Sequence, residues 1–236
     1  MEDDKRLIVI TGTGSDLGAA LCEDLYGNES IHVIGIGRNF CETTNYYTHL
    51  QGDLTDKDIV ERLKEIIIST NHSLFGLVNI AGVSLGESIE AMDIDDWNKM
   101  MEINLNVPMK LCKIAAKYMV DGGRIINVGS PVGWTGANKP GYAASKAGLH
   151  GLTMAVAKNL GPRKILVNTI LPGPMVTGMT RKWSQERRDK VATESFLGRL
   201  TNPEDVAKGI IFLLDESTQG ITGSILDFTA GSMFTH

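Results

Sequence analysis

The chain is poor in cysteine. Its three thiols, Cys22, Cys41 and Cys112, are odd in number and widely spaced, and none forms a C-x-x-C pair. That gives neither a disulfide framework nor a zinc-binding spacing, and it fits a reducing, cytoplasmic setting. Long apolar runs are missing too: none approaches the ~18 residues a membrane span requires, and the opening MEDDKR is acidic where a secretory signal begins basic and turns apolar. No membrane association is therefore expected. Positive charge is in deficit, 23 Lys and Arg against 28 Asp and Glu for a net charge of −5, which argues against a nucleic-acid partner and for an ordinary solvated surface. Internal repeats and low-complexity linkers are absent as well. At 236 residues, 42% hydrophobic, the chain can bury one large core but is too short for two full catalytic domains, so a single domain is expected.

What the chain does contain is alternation. Short β-rich apolar runs begin at Leu7 (LIVIT), His32 (HVIGIG), Leu74 (LFGLVNIAG), Arg124 (RIINVGS) and Lys164 (KILVNTILPG), and segments 16–26, 55–69, 93–120, 141–160 and 202–214 between or after them have helical period. This predicts βαβ units and an α/β fold: a doubly wound parallel sheet with helices on both faces. TDKD at 55–58 and NPED at 202–205 supply capping residues and early acids for two of the helices. The least regular stretch, 172–198, starts with Pro and Gly, continues polar and charged, and is a candidate substrate lid.

VITGTGSDLG, residues 9–18, follows a predicted strand and opens a predicted helix, the context in which a glycine-rich run holds phosphate. Gly12 can make the tight turn, Gly14 and Ser15 can bring backbone close to a ligand, and Gly18 lets the helix pack near the strand. The helix N-terminus then offers unpaired N–H groups and partial positive charge to a pyrophosphate. Asp16 is an acid where an anion would sit. It is expected to cap the helix by accepting from backbone N–H groups two or three residues on, competing with the ligand for them, so that Asp16→Gly would bind cofactor more tightly.

GYAASKAG places Tyr142 and Lys146 four apart on one helix face, and INVGS puts Ser130 at a strand end just before that helix, on the sheet edge where doubly wound folds bind ligands. A phenol with a pKa near ~10 is a poor proton donor at neutral pH. An ammonium ~4 Å away in a partly buried site is worth up to about 4 kcal/mol, roughly three pKa units, so Lys146 is expected to make Tyr142 a usable acid or base. Ser130 would hold a substrate oxygen as charge develops on it. The group suits carbonyl reduction or its reverse.

These stretches resemble the short-chain dehydrogenase/reductase family nearly end to end. TGTGSDLG is similar to its T-G-x-x-x-G-x-G turn with Asp16 replacing the middle glycine, and NIAG at 79–82 to its N-N-A-G strand end with Ile80 replacing the second Asn. INLN supplies Asn104 at the family's catalytic asparagine. Ser130, Tyr142 and Lys146 match its triad, and LPGPMVT resembles its Pro-Gly segment. The resemblance implies a Rossmann-like domain and an NAD(P)-dependent oxidoreductase acting on CH–OH groups, with Ser130, Tyr142, Lys146 and Asn104 catalytic. Cofactor contacts are implied for Gly12, Thr13, Gly14, Ser15, Asp16 and Leu17 in the turn; for Asn79, Ala81 and Gly82; for Tyr142 and Lys146; and for Pro172 and Gly173. The backbone near Met175 and the Thr177 hydroxyl are implied to meet the nicotinamide carboxamide, and Asp53 and Leu54 the adenine. Asn104 is implied to hold, through its carbonyl, a water linking Lys146 to solvent, which needs an interrupted helix. Pro108, four residues on and without an N–H, cannot bond that carbonyl; it can equally begin a new helix.

In the family, an acid ending the second strand selects NAD, and a basic residue just after it pairs with the extra phosphate of NADP. This chain reads GIGRN, with Gly37 at the acid's place and Arg38 next, so NADP(H) is the expected cofactor and NAD(H) the alternative. The C-terminal third looks like that of the bacterial 3-oxoacyl-carrier-protein reductases, which implies a role in fatty acid biosynthesis, a small-molecule or carrier-bound ketone substrate, possible docking of acyl carrier protein, and a homotetramer. Arg163 matches a basic docking position of those enzymes, or is a solvated helix-end cation; Asp121 would repel an acidic carrier. Two further readings stand beside the ketoreductase: a dehydrogenase of another alcohol, sugar or steroid-like substrate, and a non-catalytic nucleotide-sensing protein.

Overall fold

The computed structural model describes residues 5–234 apart from 40, 57 and 179. Seven parallel strands form one sheet in the order β3-β2-β1-β4-β5-β6-β7. They are β1 (Arg6–Thr11), β2 (Ile31–Gly37), β3 (Tyr47–Gln51), β4 (Ser73–Asn79), β5 (Arg124–Val128), β6 (Leu166–Pro172) and β7 (Ile225–Phe228). The alternation of apolar residues along each strand feeds two buried faces. Leu7 and Val9 pack with Leu63, Leu111 and Ala157 on one side, while Ile8 and Ile10 pack with Leu17, Leu21, Val206 and Ile210 on the other. Those partners come from α2 (Ile59–Ser69), α4 (Val107–Tyr118) and α6 (Pro140–Leu160) on the first face and from α1 (Asp16–Leu25) and α8 (Pro203–Leu214) on the second. The expected doubly wound single domain is thus the observed one.

The differences are local. β3 and β7 escape a reading based on apolar runs because YTHLQ and ILDF are short and only partly buried. The segment read as one helix over 93–120 is α3 (Ile94–Met101), a π-helical turn at Glu102–Asn106, and α4. Pro108 in the first turn of α4 lacks the N–H that would continue the α-helical ladder to Asn104. Within the candidate lid lies α7 (Gln185–Glu194), and between β5 and α6 there is a short α5 (Val132–Thr135). Helix α2 starts at Ile59, later than TDKD suggested, and Asp58 makes no side-chain cap. The preceding turn is closed instead by Asp53, whose Oδ1 accepts from the Thr55 N–H (2.9 Å) and hydroxyl (2.7 Å). At α8, Asn202 makes no capping bond; Pro203 opens the helix, with Glu204 and Asp205 in its first turn.

Arg163 is a helix-end cation. Its Nη1 donates to the Ala116 carbonyl (2.6 Å), Nη2 to the Met119 carbonyl, and Nε to Asp121 (2.8 Å). It closes the end of α4 and neutralises the acid that was read as a repulsive element, so it is not a free docking cation. No helix among the described residues is long and apolar enough to cross a membrane.

Candidate active site

The strand order reverses between β1 and β4, and Thr11, at the end of β1, ties them together there. Its Oγ1 accepts from the Ile80 N–H (3.1 Å) and the Ala81 N–H (3.2 Å). Gly12 follows at φ +75°, and a Cβ on it would stand 2.9 Å from Ala81 N, so only glycine turns here. A Cβ on Gly18 would collide with the Gly12 carbonyl, whereas Gly14 faces open space, with nothing within 4 Å of where its Cβ would be. Ser15, not Asp16, caps α1: its Oγ accepts from Gly18 N (3.1 Å) and donates to the Gly12 carbonyl (2.7 Å). Asp16 stands one position too late to cap and turns outward. Its carboxylate accepts from Gly178 N (3.2 Å) and Arg181 Nη2 (2.6 Å). The expectation that Asp16 is the cap is therefore corrected. The first amides of α1 have no carbonyl partner within the helix, and the open flank of Gly14 lies beside them; this turn fits a diphosphate. Leu17 is buried in the core and can offer only its backbone.

At the end of β2, a Cβ on Gly37 would lie 3.3 Å from Thr13 Oγ1, 3.5 Å from the His49 ring and 3.7 Å from Gly14 N. The missing acid thus leaves space directly beside the turn, and the exposed Arg38 follows it. Beneath lies a pair that the sequence reading missed. Tyr47 OH donates to Thr13 Oγ1 (3.3 Å) and meets His49 Nδ1 (3.2 Å), and burial pushes its phenol up to about 12. The available signal was Gly35: any Cβ there would run into the Tyr47 phenol. Asp53 has one carboxylate oxygen committed to Thr55, which holds its carboxyl below the usual range; Leu54 packs against the core.

The four residues read as catalytic come together at the carboxyl edge of the sheet. Lys146 is 4% exposed and donates to the Val128 carbonyl at the end of β5 (2.7 Å). Burial lowers its ammonium to about 8. It lies 6.0 Å from the centre of the Tyr142 ring. Burial also pushes the Tyr142 phenol up, opposed by a hydrogen bond with the Ser130 hydroxyl. The net direction is upward, opposite to the lowering expected from Lys146, because desolvation is the larger effect. A Cβ on Gly82 would fall 3.3 Å from Asn104 Oδ1 and 3.4 Å from Lys146 Nζ, so Gly82 is what lets these two approach. The Asn104 side chain is spent on structure. It accepts from Val83 N (2.8 Å) and donates to the Val83 carbonyl (2.9 Å) and Ser145 Oγ (3.0 Å), which pins the π-helical turn against the strand end and leaves the main chain for any further role. Asn79 donates to Asn127 (2.8 Å), which donates to Thr153 (2.8 Å), so its side-chain amide braces β4 to β5.

Beyond β6, Gly173 N donates to the Phe228 carbonyl (3.2 Å), and a Cβ there would be 2.5 Å from Thr201 Oγ1. Pro172 pairs in register with Phe228. Met175 bridges to Thr201, and Thr177 N donates to the Met175 carbonyl (2.8 Å). The chain thus reaches the rim of the crevice in a fixed turn. A cleft of about 700 Å³ opens between 86–89 and 137–140, next to the start of α6.

Comparison with known proteins agrees with this arrangement. Residues 38–232 match the family model described as Enoyl-(Acyl carrier protein) reductase. The 3-oxoacyl-(acyl-carrier-protein) reductase FabG of Aquifex aeolicus is 30% identical over 95% of this chain and 86% of its own length. The (3R)-3-hydroxyacyl-CoA dehydrogenase of Canis lupus familiaris is 34% identical over 95% of both. Among solved structures, that of ElxO with NADP bound superposes with a TM-score of 0.86 at 28% identity, covering 98% of this chain and 99% of that one. With its parallel sheet, glycine turn and clustered Ser130, Tyr142 and Lys146, the chain belongs to the short-chain dehydrogenase/reductase family of NAD(P)-dependent oxidoreductases acting on CH–OH groups.

Proposed function

We propose that this protein is an NADPH-dependent ketoreductase that reduces a carbonyl to a secondary alcohol, with 3-oxoacyl thioesters as its substrate class. One observation carries the reading: the buried Lys146 ammonium, anchored on the Val128 carbonyl, stands 6.0 Å from the centre of the Tyr142 ring on the same helix face, with buried Ser130 at the adjoining end of β5. A reduced nicotinamide held in the crevice would supply the hydride. Tyr142 donates its proton to the carbonyl oxygen as charge builds there, and Ser130 holds that oxygen in place. The Lys146 ammonium stabilises the phenolate left behind and can return a proton to it, with the Asn104 carbonyl holding the water through which solvent resupplies Lys146.

The cofactor would be held by Gly12 to Leu17 at the phosphate, by Asp53 and Leu54 at the adenine, and by Asn79, Ala81 and Gly82 through their backbone. Tyr142 and Lys146, together with Pro172, Gly173, Met175 and Thr177, would position the nicotinamide end. Arg38 beside the space at Gly37 favours NADP(H) over NAD(H). The thioester substrate class is supported by the two curated relatives. Because Arg163 is engaged at the end of α4, a carrier protein would have to dock through other cations. Segment 172–198 would serve as the lid, and exposed Met109 on α4 and Met154 on α6 suit burial in a homotetramer; the cytoplasm is the proposed setting.

The test is NADPH oxidation with acetoacetyl-CoA, set beside a panel of free ketones, sugars and steroids, for the native protein and Tyr142→Phe. Turnover of the thioester, reduced at least about 100-fold in the variant with NADPH still bound, is expected. Faster turnover of a sugar or other ketone would assign a different dehydrogenase. Cofactor binding with no turnover of any substrate would assign a nucleotide sensor.

A further inference from the structure

Asp16 stands where the family turn has a glycine, and because Ser15 caps α1, its side chain makes no capping bond in the helix it opens. Both of its oxygens are instead bound by one segment beyond β6: Oδ2 by Gly178 N and Oδ1 by Arg181 Nη2. That segment is braced internally. Thr180 Oγ1 donates to the Met175 carbonyl and accepts from Thr177 N (3.2 Å), and Met175 is itself bridged to Thr201. Arg181 is therefore presented at the mouth of the turn by a structured loop. Asp16 is its salt-bridge partner at 2.6 Å, and the guanidinium is mostly exposed. A guanidinium has five donors; one is placed on Asp16, leaving others to reach a second anion.

We infer that Arg181 is a further pyrophosphate-binding residue, with Asp16 acting as a resident anion that holds it in place until the dinucleotide arrives. The inference rests on the cofactor reading above and adds to it a residue outside the glycine turn. The turn itself, GTGS, carries no basic side chain, and Asp16 adds a negative charge at its rim. An entering diphosphate therefore meets repulsion from Asp16 at the same turn whose amides attract it, and Arg181, bound to Asp16, is the cation placed to offset that repulsion. The phosphate competes with Asp16 for the same guanidinium. Asp16 thus weakens binding on its own account while orienting the group that strengthens it.

The signature is opposite effects from the two partners. With NADPH fluorescence titration of the full chain, Arg181→Ala should raise Kd about 10- to 100-fold, and Arg181→Lys should fall between it and the native protein. Asp16→Asn should lower Kd, and the double variant should lie closer to native than Arg181→Ala, because the unpaired carboxylate is gone. A paired titration with 2′-phospho-ADP-ribose and adenosine 2′-phosphate separates the diphosphate from the rest of the ligand: only the first should respond to Arg181. Native-like NADPH binding by Arg181→Ala overturns the inference, as does equal weakening toward adenosine 2′-phosphate. Weaker binding by Asp16→Asn overturns the competition between Asp16 and the phosphate. A native protein that binds neither NADPH nor NADH overturns the cofactor reading beneath it.

Discussion

Replacing Lys146 with methionine should stabilise the fold while abolishing turnover. Lys146 is 4% exposed, and its one described side-chain bond is to the Val128 carbonyl, with no carboxylate among the described residues paired to it. Burial brings its ammonium from 10.5 to about 8. At 1.36 kcal/mol per unit, carrying that proton at pH 7 costs the native state about 3 kcal/mol. Methionine is of similar length and removes this cost, but leaves the Val128 carbonyl without its partner, a loss of about 1 kcal/mol. The net gain is about 2 kcal/mol, or roughly 4–8 °C in Tm for a chain of this size. The sign of its pH dependence is fixed. A lysine with a lowered folded pKa binds more protons unfolded than folded between about 8 and 10.5, so native stability rises with pH across that window. The advantage of methionine should therefore shrink from pH 7 to pH 10. Thermal and urea melts of the two proteins at both pH values measure it. A variant less stable than native at pH 7, or an advantage that does not decline with pH, would refute the account of an unpaired buried charge.

Other consequences are as direct. For the native enzyme, kcat/KM for reduction should fall as pH rises through about 8, where Lys146 loses its proton; a pH profile flat to pH 10 would remove the ammonium from the chemistry. His150 is 3% exposed and lowered to about 4, by burial first and Lys146 second. It contributes stability that is complete above pH 6.5 and lost as pH falls toward 4, so His150→Leu should blunt acid unfolding by up to about 3 kcal/mol, read as a smaller drop in Tm between pH 7 and 4.5. Thr11→Val leaves two strand-end amides without their acceptor and should cost about 2–4 kcal/mol in urea denaturation; an unchanged midpoint would show that those amides find other partners. Gly37→Asp with Arg38→Leu should reverse the ratio of NADPH to NADH affinity by at least about 10-fold, and an unchanged ratio would place cofactor selection elsewhere.

Burial pushes Cys22 up to about 11 and Cys112 up to about 12, so both stay as unreactive thiols near neutral pH.

Sequence alone was enough for five of the seven strands, the two covered faces of the sheet and the grouping of Ser130, Tyr142 and Lys146. Each of these rests on a period or a short spacing: strands buried on both sides read as continuous apolar runs, and positions four apart share a helix face. Gly12 and Gly18 were legible for a similar reason, since a tight turn admits no side chain. Tertiary structure decided what depends on neighbours distant in the chain. Asp16 looks like a cap in sequence, yet Ser15 holds that position and the carboxylate goes to Gly178 and Arg181, more than 160 residues away. Arg163 reads in sequence as either a docking cation or a helix-end cation, and its bonds to the Ala116 carbonyl and Asp121 favour the second. The phenol of Tyr142 moves up and not down, because desolvation depends on everything packed around a group, whereas spacing along a helix tells only which groups are near. Periodicity fixes which residues share a surface; charge and hydrogen bonding are settled by what the folded chain brings against it.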